Sequence, residues 1–269
     1  MEKVAFVTGA SSGIGRATAA LLAGSDYRVF GAARNIAGVK PIPNVEFLQL
    51  DVRDDESVKE AVRAIVSRAG RIDALVNNAG YTLIGSLEET SIEEAKQLFE
   101  TNFFGVLRMS QAVLPIMRGQ RYGRIANVSS VVGFVPAPYQ GIYGASKHAL
   151  EGYSESLDHE VRQFGIRVSV IEPGFTRTKI SQNSQVAGRL LEAYESERNR
   201  VLDAVRENTA SGENSFTAAS AVLEALTARS PRPRYPVGRE AKLLSRFRKL
   251  IPSKLFDKSL RKQFGLGAA

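Results

Sequence analysis

The chain has 269 residues, 43% hydrophobic and 24% charged, enough for one large core or two small domains, and no run approaches the ~20 apolar residues that span a bilayer. It contains no Cys and only His148 and His159, so disulfides and thiolate chemistry are excluded and no metal site or His-based triad is expected. The formal net charge of +8 is concentrated: eleven Lys/Arg between Arg232 and Lys262 stand against Glu240 and Asp257, and the rest is close to neutral. That basicity belongs to a tail. With no base-stacking aromatics or DNA-reading motif, no nucleic-acid partner is expected. The first residues run straight into an apolar segment, leaving no room for a signal peptide, and the lack of Cys suits a reducing, cytoplasmic interior.

Val4–Val7 reads as a strand, followed by Thr8-Gly9-Ala10-Ser11-Ser12-Gly13-Ile14-Gly15 and a helical pattern through Ala17, Ala20, Leu21 and Leu22. Strand, glycine turn and helix set backbone N–H groups and a helix N-terminus against a phosphate. Gly9 permits the tight exit, while Gly13 and Gly15 let a ligand approach the backbone; Ser11 and Ser12 are candidate phosphate donors. The spacing is G-x-x-x-G-x-G rather than the commoner G-x-G-x-x-G. A second strand, Arg28–Ala32, ends in Ala33-Arg34, where a dinucleotide fold grips the ribose. No acid other than Asp26 lies between Arg16 and Val45, and a guanidinium suits a 2′-phosphate, so Arg34 predicts NADP(H).

Val45–Leu50 is a third strand closing on Asp51-Val52, followed by an amphipathic helix ending near Gly70. Ile72–Val76 leads into Asn77-Asn78-Ala79-Gly80, and a helical stretch from Ser91 to Gly119 carries Asn102. Ile125–Val128 precedes Ser129-Ser130, a helix runs from Tyr143 to about Phe164, and Val168–Ile171 stops at Pro173-Gly174. The alternation predicts an α/β fold with a doubly wound parallel sheet and ligands at the strands' C-terminal ends. Tyr143 and Lys147 lie one helical turn apart, so an ammonium within about 4–5 Å is expected to bring the phenol down from its usual ~10 toward the working pH. His148 faces elsewhere and reads as filler.

Thr8–Gly15, Asp51, Asn77–Gly80, Asn102, Ser130, Tyr143-x-x-x-Lys147 and Pro173-Gly174 with Thr178, in that order, resemble the short-chain dehydrogenase/reductase family over about residues 3–180. The resemblance implies a single Rossmann-type catalytic domain over residues 1–238, with a seven-stranded parallel sheet, helices on both faces and Tyr235-Pro236-Val237 as the last strand. It implies Tyr143 as acid/base, Lys147 lowering its pKa and binding the nicotinamide ribose, and Ser130 holding the substrate oxygen. Asn102 would organise a water joining Lys147 to solvent. Asp51 and Val52 would hold the adenine, and Asn78, Ala79 and Gly80 the cofactor's middle. Ile14, Pro173, Gly174, Thr176 and Thr178 complete the cofactor set. A homodimer or homotetramer is implied as well.

Tyr81, Leu83, Ile84, Phe134, Val135, Pro136, Pro138, Tyr139 and Phe175 make the expected pocket apolar, suiting a lipophilic carbonyl or alcohol such as a steroid, retinoid or lipid ketone. This resembles the hydroxysteroid and retinol dehydrogenase-like members. Residues 180–216 are expected to form a mobile lid. The basic extension, 239–269, is divided by Pro252 into two amphipathic pieces suited to an anionic membrane surface, to the pocket mouth or to a neighbouring subunit. The alternative to an enzyme is a noncatalytic NADP-sensing protein of the same fold, which would be expected to lack Tyr143 or Lys147.

Overall fold

The computed structural model describes residues 2–177, 185–248 and 250–266. β1 (Lys3–Thr8) alternates its faces: Val4 and Phe6 enter one core, Ala5 and Val7 another. Through Gly9 it reaches α1 (Gly13–Ala23), then β2 (Tyr27–Ala33), β3 (Val45–Gln49), α2 (Asp55–Ala69) and β4 (Ala74–Asn77). Asp54 caps α2 by accepting from the Glu56 and Ser57 N–H groups, and Gly70 ends it at φ +72°. β4 starts two residues later than its apolar pattern because Ile72 donates its N–H to Gln120 Oε1 and accepts at its carbonyl from Gln120 Nε2.

β5 (Leu83–Ile84) precedes α3 (Ile92–Phe99), opened by a reciprocal cap between Ser91 and Glu94. A π-helical turn, Glu100–Phe104, joins α3 to α4 (Gly105–Gln120), so the stretch read as one helix is continuous but widened at Asn102. β6 (Gly123–Val128), α5 (Gly141–Val161) and β7 (Ile166–Pro173) follow. Then come β8 (Thr176–Arg177), β9 (Gln185–Val186), α6 (Glu195–Ser211), β10 (Glu213–Asn214), α7 (Ser215–Thr227), β11 (Arg234–Val237), α8 (Arg239–Phe247) and α9 (Ser253–Gln263).

Seven strands form one parallel sheet in the order β11-β7-β6-β4-β1-β2-β3. Pro236 is tolerated because β11 is an edge strand. α1 and α7 cover one face, and α2, α4 and α5 the other. The chain builds outward from β1 to β3, then returns to lay β4 on the other side of β1, opening a crevice at their C-terminal ends. The Thr8 hydroxyl ties these two ends together, accepting from the Asn78 and Ala79 N–H groups at 3.0 Å each.

A third core, including Leu98, Val132, Tyr143, Val201, Val205 and Phe264, gathers above that edge. Of the segment expected as a lid, residues 180–184 lie outside the described residues. The remainder is anchored: Arg198 pairs with buried Glu89, whose Oε1 also accepts from Leu191 N–H at 2.9 Å, and Glu94 accepts from Gly188 N–H at 2.7 Å.

Candidate active site

The crevice at the β1–β4 switch is lined by Gly9, Ser11, Ser12, Gly13, Ile14, Arg34, Asp51, Val52, Asn78, Ala79 and Gly80, and also by Arg53; Gly15 does not line it but packs behind the turn. Gly9 takes φ +66°, and a Cβ there would stand 2.8 Å from the Asn78 amide; one at Gly15 would collide with the Gly9 carbonyl. The Asn78 Nδ2 donates to the Thr8 and Gly9 carbonyls at 3.0 and 3.2 Å, so this side chain clamps the glycine turn. Ser12 sits at the N-cap of α1 without a side-chain cap, and no acid lies in the first turn. The N–H groups there are open to an anion.

At the far end, Arg34 is exposed and has no hydrogen bond or ion pair among the described residues, whereas Asp51 is engaged. Arg53 donates to Asp51 through Nε at 3.0 Å and Nη2 at 2.6 Å and holds its carboxyl below the usual range, with Arg34 adding a weaker pull. Its position two residues on was the only signal for Arg53. Val52 is buried against Gly105, where a Cβ would meet it at 2.7 Å.

A second pocket shares Ile14, Asn78, Gly80 and Tyr81 with the first. Tyr143, Lys147 and Ser130 line it together, with Pro173, Gly174 and Thr176. Thr178 lies outside the described residues. Of the expected apolar walls, Tyr81, Val135, Pro136 and Phe175 are present; Leu83 and Ile84 are in the core instead, and Phe134, Pro138 and Tyr139 do not line the pocket. The tail supplies walls too, through Leu244, Leu260, Gln263 and Phe264. Lys147 and Glu240 are the charged residues among those lining it.

Tyr143 corrects one expectation. Burial pushes its phenol above the ordinary 10, and the lowering comes from the Ser130 and Thr82 hydroxyls, not from Lys147. The Lys147 Nζ lies 5.8 Å from the ring centroid and donates to the Val128 carbonyl at 2.9 Å. It is itself buried, and desolvation lowers it to about 8. Solvation lost by a phenolate therefore outweighs a distant, partly weakened cation. Thr82 follows the Asn77–Gly80 turn with no pattern that marks it in the sequence.

Asn102 is buried in the π-helical turn, accepting from the Tyr81 N–H at 3.1 Å and donating to its carbonyl at 2.9 Å. A Cβ on Gly80 would stand 3.0 Å from Asn102 Oδ1 and 3.9 Å from Lys147 Nζ, so these groups converge on one spot. His148 turns back to the Gly144 carbonyl, 2.9 Å from Nδ1. Below Lys147 the sequence reading missed a buried carboxylate pair, Glu151 and Glu172, joined by Arg234.

The short chain dehydrogenase family pattern matches residues 3–187. A 3-ketodihydrosphingosine reductase of Bacteroides thetaiotaomicron is 37% identical over 263 residues, covering 96% of this chain and 97% of the relative. A solved short chain dehydrogenase/reductase from Burkholderia phymatum, in complex with NAD, superposes with a TM-score of 0.77 at 26% identity, over 92% of this chain and 94% of that one. ElxO with NADP bound superposes with a TM-score of 0.74 at 28% identity, over 87% and 96%. With this pattern, these likenesses and the crevice geometry in agreement, the chain belongs to the short-chain dehydrogenase/reductase family of oxidoreductases.

Proposed function

We propose that the protein is an NADPH-dependent reductase of a lipophilic ketone or aldehyde, able to run in reverse on the alcohol. The observation that carries this reading is the buried Tyr143, flanked by Ser130 and Lys147, in an apolar pocket whose wall is shared with the glycine-lined crevice. The crevice fits a dinucleotide: its glycines leave room only a backbone without Cβ provides, α1 presents free N–H groups, and Arg34 has no competing partner among the described residues. Gly9, Ser11, Ser12, Gly13, Ile14 and Gly15 would hold the diphosphate, Arg34 the 2′-phosphate, Val52 the adenine, and Asn78, Ala79, Gly80, Lys147, Pro173, Gly174 and Thr176 the rest. Thr178 joins that set by sequence.

Bound NADPH supplies the hydride. As charge gathers on the substrate oxygen, Ser130 Oγ donates a hydrogen bond and Tyr143 Oη gives up its proton there. A phenol kept neutral by burial is ready to donate, which favours reduction near neutral pH. The phenolate left behind is a buried charge, and Lys147 offsets it. Asn102, fixed on Tyr81, would hold a water that returns a proton toward Lys147. The apolar lining and the lipid substrate named for the Bacteroides relative support a lipid-like carbonyl here. A homodimer or homotetramer in the cytoplasm is part of the same reading.

NADPH oxidation is to be followed with a panel of hydrophobic ketones. Tyr143→Phe is expected to lose about 10²-fold or more in kcat while still binding NADPH, since one positioned proton donor is removed. Full turnover by that variant would remove Tyr143 as the proton donor, whereas NADPH binding by wild type with no oxidation on any ketone would leave the noncatalytic NADP-sensing protein as the better reading.

A further inference from the structure

α8 and α9 form an antiparallel pair. The start of α8 meets the end of α9 where Gln263 donates to Glu240 at 2.5 Å, and the end of α8 meets the start of α9 where the Arg248 guanidinium stacks 3.7 Å from the Phe256 ring centroid. Pro252 sits between them. One side of this hairpin is used: Ala241 and Phe256 are buried, and Leu244, Leu260 and Phe264 wall the pocket.

The hairpin's outer flank carries uncovered apolar side chains. Of the eleven exposed large apolar side chains among the described residues, four lie between 243 and 255: Leu243 (59% exposed), Phe247 (45%), Leu250 (74%) and Leu255 (61%). Leu243 and Phe247, four residues apart, share one face of α8, and Leu250 follows in a turn where its N–H donates to the Phe247 carbonyl. Lys242, Arg246, Lys254 and Lys258 are exposed beside them. Among the acids of this segment, Glu240 is already engaged by Gln263, leaving Asp257 against that cationic border.

We propose that the α8–α9 hairpin docks on an anionic lipid surface, presenting its pocket-lining side to the site and its outer side to the membrane. Leucines and a phenylalanine bordered by cations match an acyl–headgroup boundary of negative charge, whereas a folded protein partner would have to supply both an apolar groove and an acidic rim. The hairpin is thin: residues a single turn apart face the pocket and the outside, so a lipid leaving the bilayer would meet the site after crossing one helix layer. The use made of the contact rests on the lipid-carbonyl reading above; the contact itself does not.

Co-sedimentation of the full chain with vesicles of phosphatidylglycerol and phosphatidylcholine, against pure phosphatidylcholine, tests it. Binding to the acidic vesicles is expected to be about tenfold tighter or more, and to weaken with added salt. Lys242→Glu with Lys258→Glu, and separately Leu250→Ser with Leu255→Ser, are each expected to lose about tenfold or more on acidic vesicles, with circular dichroism melts reporting that both pairs fold. Equal binding by wild type and variants, or none by wild type, overturns the proposal. So does a lipid-free oligomer that the leucine pair dissolves, since the face would then be a subunit interface. Vesicle binding requires no turnover, so it survives or fails independently of Tyr143→Phe.

Discussion

Glu151 on α5 and Glu172 on β7 share a single guanidinium nitrogen: Arg234 Nη1 donates to the first at 2.5 Å and to the second at 2.6 Å. Both carboxyls are buried, and one arginine also bonded to Glu155 cannot neutralise three acids. Burial and the neighbouring Glu172 charge therefore push Glu151 up to about 7 from its ordinary 4.5, and burial with the Glu155 charge raises Glu172. The folded chain keeps a proton here that the unfolded chain has released, so between those two values this pair lowers stability as pH rises. Glu151→Gln imitates the protonated acid. It is expected to match wild type near the unfolded value and to exceed it by about 1–3 kcal/mol above the folded one. Urea titrations on both sides of that window measure the difference, and a variant that weakens with rising pH as wild type does would contradict the shared proton.

Thr82 and Ser130 hold the Tyr143 hydroxyl down against the upward pull of burial. Removing either donor should raise the phenol further. In the oxidation direction, where the phenolate is needed, Thr82→Val is expected to move the acidic limb of kcat upward by at most about one pH unit. Ser130→Ala should shift the limb the same way and also cost about 10²-fold in kcat, because it takes a donor from the developing oxyanion. A profile unchanged in Thr82→Val would show that its hydroxyl does not tune the phenol.

Arg34, at the β2 end of the crevice, has no hydrogen-bond or ion-pair partner among the described residues, while Arg53 is spent on Asp51. Charge-assisted hydrogen bonds to a phosphate contribute about 1.5–3 kcal/mol, so Arg34→Ala is expected to raise the KM for NADPH about 10- to 100-fold and leave that for NADH nearly unchanged. Initial rates with both cofactors decide it; equal effects would remove the 2′-phosphate reading.

Gly9→Ala combines a left-handed φ with a Cβ 2.8 Å from the Asn78 amide. The backbone alone costs about 1–2 kcal/mol, and the displaced Asn78 loosens the turn it clamps. Thermal melts should fall and NADPH titration should weaken together. A variant with unaltered cofactor affinity would argue that the clamp is not needed to shape the turn.

Six of the seven strands were legible because each apolar run is short, bounded by turn residues and separated by helix-period segments, and a parallel sheet buries such runs on both faces; the seventh, at Tyr235–Val237, came only from the family resemblance. The residues lining the crevice were legible for a related reason: strand ends in a doubly wound sheet converge, so Thr8–Gly15, Arg34, Asp51 and Asn77–Gly80 were neighbours before any coordinates. The widened turn at Asn102 and the Gln120 cap that shortens β4 depend on contacts across the fold and left no mark in spacing.

By itself, then, the amino-acid order determined the fold class, the glycine cradle and the Tyr143/Lys147 pairing, because these are set by periodicity and by neighbours within one helical turn. Tertiary structure alone decided the sign of the Tyr143 shift, the partner of Asp51, the upward shift of the Glu151–Glu172 pair and the tail's place against the pocket. Each of those turns on how much water is excluded and which distant chain segment arrives, and desolvation is a property of the assembled interior rather than of any local stretch.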